Sequence, residues 1–115
     1  MGVDILNTAR FTELNSELTR MVGAIIEKYN PEKIILFGST ANGNVNEWSD
    51  LDLVVIKDTD KSFYERLEEI VEIAQPNIGA DIIVYTPDEA EQMKDDFFFK
   101  EEIINKGKVL FSAGQ

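Results

Sequence analysis

Residues 35–56 read ILFGSTANGNVNEWSDLDLVVI, and this stretch decides how the chain folds. One apolar run ends in Gly38-Ser39, and a second opens on Asp50 and Asp52. Short apolar runs bounded by turn residues read as buried strands, here Lys33–Phe37 and Leu51–Lys57. Residues 39–49, with Gly43, three asparagines and Ser49, read as a short helical turn and a loop. Alternate strand residues share a face. Asp50 and Asp52 therefore project side by side, with Leu51 and Leu53 on the opposite face. Val54 and Ile56 lie on the aspartates' side, which puts the acids at the polar end of the strand.

Asp81 has the same setting. It follows Gly79 and opens the apolar run Ile82-Ile83-Val84. If its strand neighbours the one carrying Asp52, three carboxylates converge at one end of a sheet. Such a cluster repels itself unless a cation neutralises it. Two divalent ions about 4 Å apart would do so and would clamp a phosphoryl displacement. Gly38-Ser39 offers the complementary half. Glycine lets backbone approach a ligand, a helical turn presents free N–H groups to anions, and the Ser39 hydroxyl can donate to a phosphate oxygen.

Working outward, Phe11, Leu14, Leu18, Met21, Val22, Ile25 and Ile26 recur at helical spacing, which predicts a helix over 10–29 ended by Asn30-Pro31. Thr59–Ser62 reads as a turn and cap before a helix from Phe63 to Ala74, with Leu67, Ile70, Val71 and Ala74 inward. Pro76–Gly79 is a break and Ala80–Tyr85 a third strand. Pro87, followed by Asp88, Glu89 and Glu91, suits the start of a helix reaching Met93. Asp96–Asn105 reads as another helix, with Gly107 near its end, and Val109–Phe111 as a last strand. The expected architecture is α/β (α+β): one domain over 1–115, a small mixed sheet with helices packed mainly on one face.

Composition narrows the chemistry. The 115 residues contain no cysteine and no histidine, so any metal must be held by oxygen, which favours magnesium, manganese or calcium. With 22 acids against 11 bases the net charge is −11, which repels nucleic acid and anionic membranes and suits either a basic protein partner or simple solubility. The start, MGVDILNTAR, lacks a basic segment followed by an apolar one, and Leu6 stands where a myristoylation signal wants Ser or Thr. No apolar run is long enough to span a membrane, and a cytoplasmic protein is expected.

A lone Gly-Ser is usually a turn, and a lone Asp-x-Asp usually a solvated strand edge. The joint pattern G-S-x10-D-x-D has a chance expectation of about 10⁻³ in a chain this long, from average residue frequencies. It also falls in the strand–turn–strand context the chemistry requires.

At these residues the sequence resembles the DNA polymerase beta-like nucleotidyltransferase superfamily, and most of all its small prokaryotic members, the minimal nucleotidyltransferases. The matching stretches are ILFGS at 35–39, SDLDLVVI at 49–56, ADIIVY at 80–85 and IINKGKVLF at 103–111. The resemblance implies a nucleotidyltransferase fold. It implies that Gly38 and Ser39 hold the triphosphate of a nucleotide, ATP being the expected one. Asp50 and Asp52 would bind Mg²⁺ or Mn²⁺, and Asp81 would complete the metal site and help activate the acceptor hydroxyl. The implied reaction moves a nucleoside monophosphate to an acceptor and releases pyrophosphate. Thr40 and Asn42 stand where family members often carry arginines, and Lys57 or Lys33 is a candidate replacement.

Many minimal nucleotidyltransferases are antitoxins paired with helical HEPN ribonuclease toxins, which some of them silence by adding AMP. A protein acceptor of that kind agrees with the −11 charge. The competing reading is an antitoxin-like binding module that neutralises a basic partner by occlusion. Two aromatic features carry structural expectations. Of Phe97-Phe98-Phe99, two should face the core and one be half covered. Trp48 should pack against the domain, with stacking on a nucleobase as the alternative role.

Overall fold

The computed structural model describes residues 5–43, 45 and 49–114. Trp48 and the first four residues lie outside them. Helix α1 spans Ile5–Tyr29. Its buried stripe is Leu14, Met21, Ile25 and Tyr29, while Phe11, expected to join it, stays 57% exposed. Asn30 takes a left-handed backbone (φ 53°) and ends the helix before Pro31. Strand β1 (Lys33–Phe37) runs directly into the single turn α2 (Gly38–Ala41). Strand β2 is Leu51–Ile56, helix α3 Phe63–Ala74 and strand β3 Ala80–Tyr85. The short helix α4 (Pro87–Gln92), the π-helical α5 (Phe99–Asn105) and strand β4 (Lys108–Ser112) complete the chain.

Local chemistry explains the helix starts. The Ser62 hydroxyl accepts from Glu65 N–H at 3.3 Å, and Ser62 N–H donates to the Glu65 carboxylate at 3.0 Å. Thr86 and Glu89 repeat this reciprocal cap at α4. Asp96 accepts from Phe99 N–H at 3.0 Å and so tethers the start of the last helix.

The sheet order is β3-β2-β1-β4. β1 runs antiparallel to β2 and β4, and β2 runs parallel to β3. The two long helices cover one face over Ile34, Leu36, Leu51, Leu53, Val55, Ile82 and Val84. The opposite face carries Ile35, Phe37, Val54 and Ile56, closed by Phe99 and Ile103 of α5 with Ala90 and Met93 beside them. The near-continuous apolar runs of β1 and β2 follow from this burial on both sides.

Two expectations about buried side chains fail. Leu67 and Val71 are 37% and 44% exposed, because Arg66, Ile70 and Ala74 form the buried line of α3. Residues one position on lie about 100° round the helix. Of the three phenylalanines only Phe99 is buried; Phe97 is 80% exposed, and Phe98 is half exposed with its ring edge-on to Phe37 at 6.2 Å. Arg66, nearly enclosed, takes the inward position by donating to the Lys61 carbonyl at 2.8 Å, the Val84 carbonyl at 3.2 Å and Glu89 at 2.7 Å.

Candidate active site

The topology gathers the residues singled out in the sequence. β2 and β3 are parallel and in register, with Asp52 opposite Asp81. β1 runs the other way, so its final residue Phe37 also pairs with Asp52. Gly38-Ser39, Asp50, Asp52 and Asp81 therefore share one end of the sheet. Lys33 pairs with Ile56 at the other end, and the Lys57 ammonium sits near the Asn30 carbonyl and over the Tyr29 ring. The two ends lie four residue steps apart along the strand, about 13 Å at the usual rise. Neither lysine replaces the absent loop cations.

Glycines seat two of the carboxylates. Gly38 has φ +78°, and a Cβ there would run into the Asp52 carboxylate. A Cβ on Gly79 would run into the Asp50 carboxylate, with Oδ2 at 2.9 Å. Gly79 also accepts from Leu51 N–H at 3.1 Å through its carbonyl, locking β3 to the start of β2. Gly79 reads in the sequence only as a chain break. Its contact with Asp50 is visible only once β2 and β3 are neighbours.

Two more residues that sequence reasoning missed hold the entrance to β2. The Thr40 hydroxyl donates to the Asp50 carbonyl at 2.7 Å. Arg10 of α1 donates to the Ser49 carbonyl through Nε at 3.0 Å and Nη2 at 2.5 Å, and reaches Asp50 Oδ1 at 3.4 Å. Arg10 lies 40 residues from Asp50, so no spacing rule points to it.

The electrostatics are strained. Burial, then the charges of Asp81 and Asp50, push the Asp52 carboxyl up to about 6 from an ordinary 3.8. Asp50 is turned toward Arg10 and Gly79 while Asp52 is turned toward Asp81 and Gly38. Among the described residues no three acidic side chains surround one point closely enough to ligate a single cation as they stand. The donor set is nonetheless all oxygen and its members repel one another. Residues of this kind fit a hard divalent cation, which would relieve the repulsion.

A shallow groove runs from Asp52 and Asp81 around the free edge of β3. Its walls are Phe37 and Phe98 on one side and the Phe63–Leu67–Val71 stripe of α3 on the other. That stripe is the apolar surface left exposed by the turn of α3.

A sheet of this topology with acids and a glycine turn at one end is the frame of a nucleotidyl-transfer domain. The family model described as polymerase beta, nucleotidyltransferase matches residues 21–115, and the chain belongs to that family. Among solved structures, the fold is similar to that of a candidate nucleotidyltransferase from Sulfolobus solfataricus. The TM-score is 0.70 at 16% identity, over 98% of this chain and 93% of that one. A search of curated proteins finds no match. Among the described residues, no helix is long and apolar enough to cross a membrane.

Proposed function

We propose that this nucleotidyltransferase domain is of the minimal type and moves AMP from ATP to a protein acceptor, a HEPN-type toxin being the kind of partner intended. The observation that carries the reading is the register pairing of Asp52 with Asp81 beside the turn formed by Gly38 and Ser39. Asp50, Asp52 and Asp81 would hold Mg²⁺ or Mn²⁺, which when bound supplies charge neutralisation for the triphosphate and the leaving pyrophosphate. Gly38 lets the chain turn tightly enough to bring the Ser39 hydroxyl toward the phosphates. Asp81, on the strand at the open edge, is the carboxylate placed to accept a proton from an acceptor hydroxyl. Burial and the charges of Asp81 and Asp50 hold the Asp52 carboxyl up to about 6 beside it, and a bound cation would relieve that repulsion. The apolar groove at the β3 edge and the net charge of −11 favour a protein acceptor with apolar and basic side chains over a nucleic acid.

The test is incubation with labelled ATP, Mg²⁺ and the protein encoded by the neighbouring gene. Label on that partner, lost in Asp52→Asn and Asp81→Asn, is the expected result. A stable complex without label, in wild type as in the variants, would replace the transfer reading with occlusion. Mn²⁺ titration followed by NMR line broadening supplies an independent readout. Broadening that spares residues 50–52 and 81 would refute the metal assignment.

A further inference from the structure

A triphosphate carries several negative charges into a site already built from three carboxylates. The turn after β1, residues 38–43, reads GSTANG and has no cation. Lys33 and Lys57 are at the far end of the sheet. Among the described residues, Arg10 is the basic side chain paired with an acid of this group.

We propose that Arg10 is a phosphate-binding residue of this site, bringing from α1 the cation that the glycine turn lacks. The proposal rests on the nucleotidyl-transfer reading above. Arg10 lies outside the 21–115 segment matched by the family model.

The contacts place the guanidinium at the entrance to β2, against the Ser49 carbonyl and the Asp50 carboxylate. Arg10 holds the Ser49 carbonyl and Thr40 holds the next carbonyl, that of Asp50. The two side chains therefore brace successive carbonyls at the entrance to β2, and Thr40 directly follows Ser39. It is anchored but not exhausted. Nε and Nη2 share Ser49 O, Nη2 also reaches Asp50, and Nη1 donates to Glu13 at 2.6 Å. Among the described residues these bonds engage four of its five N–H groups.

The bond to Asp50 is the longest of the set at 3.4 Å, and it is the one Arg10 would give up if Asp50 held a cation. That would free a second donor for an anion. Glu13, 56% exposed, screens Arg10 only weakly because water reaches the pair. A guanidinium fixed at its Nε edge, with one N–H left and a second held only by the long bond to Asp50, is suited to phosphate oxygens.

Calorimetry with Mg·ATP and with inorganic tripolyphosphate plus Mg²⁺ tests this. Arg10→Gln should weaken both by about tenfold or more, the range for a lost charge-assisted bond. Arg10→Lys, keeping charge but losing the fork, should fall between. Mn²⁺ affinity without nucleotide, read by electron paramagnetic resonance, should not weaken. Unchanged nucleotide affinity in Arg10→Gln overturns the proposal. So does a parallel loss of Mn²⁺ affinity, which would make Arg10 only a brace for Asp50. Should Arg10→Gln melt below the assay temperature, Arg10→Lys carries the comparison, and wild-type affinity there for both ligands overturns the proposal. A wild type that binds neither ligand overturns the functional reading together with this one.

Discussion

Asp52→Asn should stabilise the metal-free protein at pH 7 by about 1 kcal/mol. The folded protein holds the Asp52 proton until about pH 6, whereas an ordinary aspartate releases it near 3.8. Between those values the unfolded chain has lost the proton and the folded chain still carries it. Unfolding is thus increasingly favoured as pH rises through the window, and the cost is constant above it. Linkage over the full interval gives about 3 kcal/mol at pH 7. Asp52 is only half buried, and water screens its neighbours, which brings the figure to about 1 kcal/mol. Asparagine fills the same space, carries no charge and can donate to Asp81. Urea unfolding in EDTA at several pH values from 4 to 8 measures the effect, with the midpoint compared at constant m-value. Wild type should lose stability between pH 4 and 6, and Asp52→Asn should lose about 1 kcal/mol less. Parallel pH profiles for the two proteins would refute the like-charge argument. A variant less stable than wild type by about 1 kcal/mol or more would mean that Asp52 is a structural acceptor.

Gly38→Ala forces a side chain into a left-handed backbone and against the Asp52 carboxylate, and should cost about 1–3 kcal/mol in thermal or urea melts. Gly23→Ala is the contrasting case: it sits mid-helix with open space around it, and should stabilise by about 0.5–1 kcal/mol. Glu17, nearly buried, is lowered to about 2 by its hydrogen bond from Arg20 and by Asn77 N–H. Its contribution is full above the ordinary value of 4.5 and is lost as pH falls toward 2. Glu17→Gln should therefore flatten the acid limb by about 2 kcal/mol, measured by acid unfolding followed by circular dichroism. Glu89→Gln removes the carboxylate from the enclosed Arg66 and should cost about 2 kcal/mol in urea melts, with α4 exchanging its amides faster than α3.

The sequence alone determined every strand and most helix limits, because these depend on short-range rules. Apolar runs between turn residues marked β1, β2 and β3 within a residue or two, and the Ser62 cap was readable in advance. The period of two along a strand predicts Asp50 and Asp52 side by side, whereas Asp50 precedes β2 and turns to Arg10 and Gly79 while Asp52 turns to Asp81 and Gly38. Helical periodicity succeeded less well where a charged residue took an inward place. On α3 the inward position went to Arg66, whose partners are the backbone of Lys61 and Val84 and the side chain of Glu89. No apolarity rule assigns a guanidinium to the core, so Leu67 and Val71 were placed on the wrong side. Of the three phenylalanines only Phe99 lies in the π-helical segment, a backbone choice with no signature in FFFKEEIIN.

Only the tertiary structure decided which parts of the candidate site meet. The order β3-β2-β1-β4 sets Asp81 beside Asp52, sends Lys33 and Lys57 to the opposite end, and turns Gly79 into the seat of Asp50. It also lets α1 lay Arg10 against Ser49 and Asp50 across 39 and 40 residues of chain. The physical reason is one of range. Backbone dihedrals and side-chain alternation act over two to four residues. Strand neighbours and helix-to-loop contacts are chosen by how the whole set of apolar surfaces is buried at once.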